Sequence, residues 1–294
     1  MPLIEWGRAI PAPAKINLFL HVVGRRADGY HLLQTCFRFL DWGDHLIFEP
    51  RSDGVIELLT PLPEVDEQTE LSVRAARRLQ QAAGVRLGAA IHLDKRIPMG
   101  GGLGGGSSDA ASTLIALNRL WRLDWPRPRL AELALALGAD VPVFIFGRSA
   151  LAEGVGEQLT AIELPPACYV IVFPGCGVPT GPVFADPELT RSTEAVKIGA
   201  LSEAGQSVAR ELAMLGFGRN DLEPVVCRRY PEVGRALCWL RARTVARMSG
   251  SGACLVGWCR TPAEARALVA EVPAPWAAWV ATGIDEHPLA GDRC

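Results

Sequence analysis

Lysine is scarce in this chain of 294 residues, because only three of its 30 basic residues are lysines: Lys15, Lys95 and Lys197. An ammonium is a compact point charge and a guanidinium is a planar fork, so arginine does not simply replace lysine at a charged site. The near balance of 30 basic and 32 acidic residues excludes a whole-chain positive field that would attract nucleic acid or an anionic membrane surface. Any anionic ligand must therefore be held by local features.

Long apolar runs and closely spaced cysteine pairs are also missing. No stretch approaches the roughly 20 apolar residues of a membrane span, and the N-terminal sequence has no basic segment followed by a long apolar one. The eight cysteines are scattered without the spacing of a zinc site, which predicts reduced and mostly buried thiols. These absences predict a cytoplasmic protein that has neither a membrane partner nor a nucleic-acid partner.

The first half of the sequence has the pattern of an antiparallel opening followed by a glycine-rich loop. Alternating apolar residues predict strands over 14–23, 33–40, 45–49 and 55–59. Gly43-Asp44 predicts a turn between the second and third of these strands. A helix over 69–83 and a strand over 89–93 lead to the loop, and helical spacing resumes behind it.

The second half begins near Pro165-Pro166, where a fresh strand is predicted over 167–173. The later order is helices, a strand over 254–258, a helix over 262–270 and a strand over 277–282. These patterns favour two domains, 1–163 and 164–294, in a chain that mixes helices and strands.

The glycine-rich loop has six glycines in the seven positions 100–106. Without β-carbons, successive amide N–H groups can turn inward and contact phosphate oxygens closely. We expect Ser107 or Ser108 to cap the helix that follows, whose positive end would face the same anion. The predicted phosphate-binding residues are Pro98, Met99, Gly100, Gly101, Gly102, Leu103, Gly104, Gly105, Gly106, Ser107 and Ser108.

Other interpretations of this loop are weaker. A flexible surface loop does not explain the strand before it and the helix behind it. A dinucleotide site wants an acidic residue at the end of the next strand, whereas Asp124 follows a helix. No P-loop lysine follows a glycine, and no H-R-D or D-F-G sequence supports a protein kinase.

Three segments resemble the GHMP kinase superfamily, which is named for galactokinase, homoserine kinase, mevalonate kinase and phosphomevalonate kinase. They are PAKINLFLHVVGRRADGYH (13–31), PMGGGLGGGSSDAAS (98–112) and MSGSGACLVG (248–257), and the segments 138–144 and 218–224 are similar as well. The resemblance implies an α+β fold of two domains, the first like ribosomal protein S5 domain 2 and the second ferredoxin-like. It also implies ATP as phosphate donor, and magnesium is expected because ATP is normally its magnesium complex.

The segments are most similar to the branch of this superfamily that acts in the non-mevalonate isoprenoid pathway. The implied reaction is transfer of the γ-phosphate of ATP to the 2-hydroxyl of a methylerythritol unit that carries cytidine diphosphate. Two alternatives are a kinase for homoserine, mevalonate or a sugar, and a nucleotide-binding regulator without catalysis. The DGYH segment argues against the first, since such acceptors have no base to stack on, and the presence of both Lys15 and Asp140 argues against the second.

The resemblance implies a catalytic role for Asp140 as the base and for Lys15 as its partner. A base must accept the hydroxyl proton as the oxygen attacks phosphorus, and a nearby ammonium would keep it ionised. From the residues alone, a helix cap before Val141-Pro142 explains Asp140 about as well. The resemblance decides for catalysis.

The remaining site residues are also implied by the resemblance. Asn17, Tyr30 and His31 match the substrate-side positions, with Tyr30 suited to stack on cytosine and His31 to hydrogen-bond its edge. Phe184 is a candidate for the second face of the stack, and Thr180 is a candidate polar contact. Lys95 would contact the adenosine side. Independently of the resemblance, Ser107 is the best candidate in the loop for a magnesium ligand, and a carboxylate is a second candidate. Relatives commonly carry asparagine where this chain has Glu70, and a carboxylate accepts hydrogen bonds but donates none. The adenine contact at position 70 is therefore in question.

Overall fold

A computed structural model describes residues 4–60, 62, 66–197 and 205–291. Within these residues the strands are β1 (Ala9–Arg25), β2 (His31–Arg51), β3 (Ile56–Leu58), β4 (Gly88–Asp94), β5 (Ala150–Glu153), β6 (Gln158–Ala161), β7 (Cys168–Phe173), β8 (Ala246–Met248), β9 (Leu255–Cys259) and β10 (Ala277–Ile284). The helices are α1 (Leu71–Ala83), α2 (Gly105–Leu120), α3 (Arg127–Leu135), α4 (Val141–Phe146), α5 (Thr180–Phe184), α6 (Gly205–Ala213), α7 (Glu223–Arg229), α8 (Pro231–Arg241) and α9 (Pro262–Ala270). The predicted order of elements is confirmed, except that the two strands predicted over 33–40 and 45–49 are one strand, β2.

The strands form one extended sheet in the order β3-β4-β2-β10-β7-β9-β8, with β1 pairing along β2 and β5 pairing with β2 and β6. Strand β10 joins the two halves, since it pairs with β7 over Ala277 to Thr282 and with β2 at Gly283 and Ile284. The segment after β10 returns to the N-terminal half, where the amide of His287 donates to Gly147 O. The boundary between 163 and 164 stays a prediction.

The predicted turn at Gly43-Asp44 is wrong, because β2 runs without interruption through both residues. Gly43 pairs with Pro13 of β1, and a β-carbon at Gly43 would lie 2.2 Å from Ala12 O. The glycine is thus required by the close approach of the neighbouring backbone and not by a turn. Asp44 is buried inside the sheet, where its carboxylate is used as described below.

Apolar side chains form three clusters that follow the sheet. The first lies between β2, β4 and helices α1 to α4 and includes Phe39, Phe48, Leu114 and Phe144. The second joins the halves, with Ile16 and Leu18 of β1 packed near Tyr169 and Ile171 of β7. The third lies under α7, α8 and α9. Because β1 is covered on both faces, nearly all its residues are buried, and the alternation predicted for its apolar face is lost.

Helix α2 begins at a glycine and not at a serine cap. Its N-cap residue is Gly104 with φ +71°, and no side chain caps the helix. Ser107 and Ser108 lie inside the first turns, so the predicted serine cap is wrong. A β-carbon at Gly104 would lie 3.0 Å from two side-chain carbons of Lys15, which leaves no room for a serine there.

Two further findings concern membrane spans and cysteines in the described ranges. No helix there is long and apolar enough to cross a membrane. The seven cysteines in these ranges are free thiols, as predicted, and four of them are buried: Cys36, Cys168, Cys254 and Cys259. Cys294 lies outside the described residues.

Candidate active site

A cavity of about 570 Å³ lies between the two halves, lined by β1, the glycine loop, the start of α1, the start of α4, α5 and the turn 250–252. The sequence places these segments far apart. The fold brings them together because the glycine loop follows β4 at the sheet end where the turn after β8 also lies. The five segments that resemble the GHMP kinases all contribute to this cavity or to its walls.

The glycine loop is anchored by its carbonyl groups. Gly100 O accepts from the amides of Val178 and Ala253, at 3.1 and 3.0 Å, and Gly101 O accepts from the amide of Cys254 at 3.0 Å. Leu103 O accepts from the amide of Lys15 at 2.9 Å. In the part of the chain that the structure describes, the amides of residues 100–107 donate to no acceptor. The carbonyls therefore bind protein, and the N–H groups are left for a ligand at the positive end of α2.

The turn 249–252 packs directly against this loop. Ser249 Oγ donates to Gly102 O at 3.0 Å and accepts from the amide of Asn17 at 3.2 Å. A β-carbon at Gly102, whose φ is +72°, would lie 2.2 Å from Ser249 O. The small residues of the third motif are thus explained by a close contact between two backbones.

Asn220 fixes the shape of that turn, a role that the sequence did not reveal. Its Nδ2 donates to Met248 O at 2.8 Å and to Gly250 O at 2.7 Å, while its Oδ1 accepts from the amide of Leu222. Asn220 is buried, so all of these groups are satisfied without water. The only signal in the sequence was the position of Asn220 within the segment 218–224.

Lys15 and Asp140 form an ion pair beside the loop. Lys15 Nζ lies 3.1 Å from Asp140 Oδ2, and it also donates to Asn17 Oδ1 at 2.7 Å and to Gly102 O at 3.3 Å. The lysine is 2% exposed, whereas the aspartate is 37% exposed and lines the cavity. Asp140 occupies the N-cap position of α4, yet its side chain makes no capping hydrogen bond. The carboxylate is therefore directed to Lys15 and to the cavity.

Asn17 and Lys15 both lie on β1 and line the same cavity. Asn17 Nδ2 donates to Thr35 Oγ1 on the paired strand β2 at 2.8 Å. The register of β1 against β2 shifts between Asn17 and Phe19, so Leu20 lines the same cavity as Lys15 and Asn17. A bulge of this kind redirects side chains within one strand.

Lys95, just before the loop, is held by two buried carboxylates. Its Nζ donates to Asp109 Oδ2 at 2.8 Å and to Asp44 Oδ2, while Asp44 Oδ1 accepts from the amides of Arg96 and Ile97. Burial lowers the pKa of Lys95, but Asp109 and Asp44 outweigh it and the net shift is upward. Burial also raises the pKa of Asp109, against the opposing effect of Lys95. The cluster fixes the residues that lead into the loop. The sequence did not indicate this role for Asp44, because Gly43-Asp44 predicts a turn.

Glu70 caps helix α1 and is buried at the wall of the cavity. Its Oε2 accepts from the amide of Val73 at 2.9 Å and from the hydroxyl of Ser72. An asparagine would cap a helix in the same way. The carboxylate at this position is therefore explained locally by the helix start.

A second cavity of about 590 Å³ adjoins the first and shares Leu33, Ala139, Val155 and Phe184 with it. Tyr30 and His31 line it, and Tyr30 is 65% exposed, which is more than is usual for a large aromatic side chain. The rings of His31 and Phe184 lie 5.1 Å apart. This cavity is lined by aromatic rings and is contiguous with the first cavity.

The predicted site residues are thus brought together with one exception. Lys15, Asn17, Lys95, Asp140 and residues 98–107 line the first cavity. Thr180 also lines it, with its Oγ1 2.8 Å from Ser251 Oγ. Tyr30, His31 and Phe184 line the second cavity. Ser108 is fully buried and lines neither cavity.

Models of two protein families match this chain. The GHMP kinases N terminal domain matches residues 70–148, and the GHMP kinases C terminal domain matches residues 194–278. The first match contains the glycine loop, Lys95 and Asp140. The second contains Asn220 and the turn that packs on the loop.

Curated relatives are similar over almost the whole chain. The 4-diphosphocytidyl-2-C-methyl-D-erythritol kinase of Dechloromonas aromatica (strain RCB) is 54% identical over 281 residues, 95% of this chain and 98% of the relative. The protein of the same name from Aromatoleum aromaticum is 56% identical, covering 96% of this chain and 95% of its own length. A crystal structure of 4-(cytidine 5'-diphospho)-2C-methyl-D-erythritol kinase has a TM-score of 0.79 at 39% identity, covering 94% of this chain and 98% of that one.

These matches cover both halves of the chain, so they confirm the α+β fold of two GHMP kinase domains. The chain therefore belongs to the GHMP kinase family, within the group of 4-diphosphocytidyl-2-C-methyl-D-erythritol kinases.

Proposed function

We propose that this enzyme transfers the γ-phosphate of ATP to the 2-hydroxyl of 4-diphosphocytidyl-2-C-methyl-D-erythritol. The observation that carries the proposal is the ion pair between Lys15 and Asp140 next to a row of free loop amides. It joins a base, a cation and a phosphate site in one cavity. ATP binds through the loop, and the acceptor enters from the side of Tyr30.

In the proposed reaction, Asp140 accepts the proton of the 2-hydroxyl as its oxygen forms a bond to the γ-phosphorus. The bond between that phosphorus and the β–γ bridging oxygen breaks, and ADP leaves with the electron pair. Lys15 stabilises the ionised form of Asp140 and the negative charge on the transferred group. Asn17 holds the lysine ammonium from the opposite side, at 2.7 Å.

The loop amides and Lys95 have the proposed role of positioning ATP. The amides of residues 100–107 would donate to the phosphate oxygens, together with the positive end of α2. Lys95, at the entry to the loop, would contribute its charge on the adenosine side. Asp44 and Asp109 fix the ammonium of Lys95, so little side-chain entropy is lost when the nucleotide binds.

We propose that the cytidine end of the acceptor binds in the second cavity. Tyr30 presents an exposed ring, and Phe184 presents a second ring next to His31. Stacking on aromatic faces is worth about 1–3 kcal/mol per base. Thr180 is a proposed polar contact near the junction of the two cavities.

Magnesium is the expected companion of ATP, and the residues at the loop fit it. Magnesium takes oxygen ligands and keeps several from phosphates and water. Ser107 lines the cavity, and Asp109 Oδ1 is buried without a hydrogen-bond partner among the described residues. Within those residues no group of three or more His, Cys, Asp or Glu could hold a metal alone. Ser107 and Asp109 would supply oxygen ligands, and the cation would neutralise charge on the β- and γ-phosphates.

An acceptor competition assay tests the proposed function. Purified enzyme is incubated with ATP, magnesium and an equimolar mixture of 4-diphosphocytidyl-2-C-methyl-D-erythritol, homoserine and mevalonate, and the phosphorylated products are quantified by mass spectrometry. The expected product is the 2-phosphate of the first acceptor, with one ADP for each product molecule. Phosphorylation of homoserine or mevalonate in preference to it would contradict the proposal. We propose that the reaction takes place in the cytoplasm, where ATP is supplied.

A further inference from the structure

Arg191 in the second cavity is fixed by four hydrogen bonds, three of them to backbone carbonyls. Its two terminal nitrogens donate to Leu189 O at 3.1 Å, to Phe184 O at 3.0 Å and to Asp186 O at 2.7 Å. The fourth bond runs from Arg191 Nε to His31 Nε2, at 3.0 Å. The guanidinium of Arg191 thus contacts the imidazole of His31 through Nε2.

This contact determines which nitrogen of His31 carries the proton. A guanidinium has only donors, so Nε2 of His31 must accept with its lone pair. In the neutral imidazole the proton then resides on Nδ1. Burial, and then the positive charges of Arg191 and Arg25, lower the pKa of His31, which favours the neutral ring. Within the described residues, Nδ1 makes no hydrogen bond of its own.

We propose that Arg191 is a specificity-determining positioning residue, which makes His31 present an Nδ1–H donor to the pyrimidine and thereby selects cytosine over uracil. The proposal rests on the proposed function, which brings a cytidine diphosphate group to this cavity. N3 of cytosine is an acceptor and pairs with an N–H donor. N3 of uracil carries a hydrogen, so two donors would face each other and neither would have an acceptor.

A different role for Arg191, as a clamp for the diphosphate, fits the contacts less well. Four of its five N–H groups are already engaged by His31 and the three carbonyls. Arg25 lines the same cavity, and its Nε donates only to the carbonyl of Gly29. Arg25 therefore provides a matched control, since its removal takes the same charge from the cavity and leaves the contact with His31 intact.

The kinetic test compares wild type, Arg191→Met and Arg25→Met on the cytidine-linked acceptor and on its uridine-linked analogue. The wild type is expected to prefer the cytidine compound in kcat/KM. Arg191→Met is expected to reduce that preference by about tenfold, the value of one hydrogen bond, chiefly through a loss on the cytidine compound. Arg25→Met is expected to change kcat/KM for both compounds by the same factor. An unchanged preference in Arg191→Met, or none in the wild type, would overturn the proposal.

The second readout is the tautomer itself, measured by ¹⁵N NMR on histidine-labelled protein, with the His31 signals assigned from His31→Gln. The wild type is expected to have a protonated Nδ1 and an unprotonated Nε2, and this measurement needs no substrate. In Arg191→Met the two tautomers should mix. A protonated Nε2 in the wild type would overturn the proposal, whereas absence of turnover on the cytidine compound with the expected tautomer would identify the proposed function as the part that fails.

Discussion

Asp140 stands at the N-cap of α4 but gives its carboxylate to Lys15, 3.1 Å away, and not to the helix amides. A capping carboxylate would be committed to the backbone, whereas this one has a free side toward the cavity. The buried lysine and the part-exposed aspartate thus form a pair that is open to a ligand on the side of the acid. The geometry therefore favours the catalytic interpretation over the helix cap that explained the sequence equally well.

Replacing Gly102 with alanine is expected to disrupt both halves of the active site. The new β-carbon would meet Ser249 O at 2.2 Å, and the backbone has φ +72°, which alone costs a residue with a β-carbon about 1–2 kcal/mol. The loop and the turn would have to separate. We expect a larger loss of unfolding free energy than the conformational cost alone, and weaker ATP binding, measured by denaturant unfolding and calorimetry.

Gly7→Ala is the matched control for this prediction. Gly7 has a similar φ of +76°, but a β-carbon there would meet nothing within 4 Å. The free energy of unfolding of Gly7→Ala should therefore fall only by the conformational cost, and its ATP affinity should equal that of the wild type. Equal effects of the two substitutions would show that the contact between Gly102 and Ser249 contributes nothing.

His287 is expected to make the protein less stable as the pH falls. Burial, with a smaller effect of Arg127, lowers the pKa of His287 to about 3 from its ordinary value of 6.5. Between these values the unfolded chain binds a proton that the folded protein excludes, so acid favours unfolding. The expected contribution is a loss of about 2 kcal/mol in unfolding free energy at about pH 5 relative to about pH 8.

The measurement is denaturant unfolding across this pH range for wild type and His287→Asn. Nδ1 of His287 accepts from the amide of Leu289 at 3.1 Å, and the oxygen of asparagine can accept the same bond. The variant should lose part of the pH dependence, although His21 and His31, whose pKa values are also lowered by burial, will leave some of it. Identical pH slopes in the two proteins would refute the assignment to His287.

Removal of the cap at Glu70 is expected to affect both stability and nucleotide binding. Glu70→Ala leaves the amide of Val73 without its acceptor and should cost about 1 kcal/mol. Because the start of α1 lines the cavity, ATP affinity should fall as well, whereas Glu70→Asn should preserve both. Thr261→Ala removes the cap of α9, far from the cavity, and should lower stability by a similar amount without changing ATP affinity. If Glu70→Ala left ATP affinity unchanged, the helix cap would contribute nothing to nucleotide binding, and this prediction would be contradicted.

Local patterns predicted most of the elements because the residues that form them are adjacent in sequence. The strand, glycine loop and helix around Gly100 follow from apolar periodicity and from the lack of β-carbons. Only the family resemblance pairs Asp140 with Lys15 in advance, since the 124 intervening positions carry no signal of their contact. The ion pair itself depends on how β1 and α4 both pack against α2.

Failures occurred where a residue was required by a distant neighbour. Glycine followed by aspartate is typical of a turn, but Gly43 is required because the backbone of Ala12 approaches it closely. Serine is typical of helix caps, but Ser107 lies inside α2. The cap position is Gly104, where the side chain of Lys15 leaves no room for a β-carbon. Asn220 satisfies carbonyls of a turn about 30 residues later. Such long-range packing cannot be deduced from local propensity.

The most direct test of the proposed mechanism is the comparison of Asp140→Asn with the wild type in turnover and in ATP binding. The amide keeps the shape of the side chain but accepts no proton, so kcat is expected to fall by roughly 10³-fold or more. The dissociation constant of ATP, measured by calorimetry, should stay close to that of the wild type, because the loop amides and Lys95 are untouched. A variant that retains near-normal turnover would contradict the role of Asp140 and, with it, the proposed chemistry of this site.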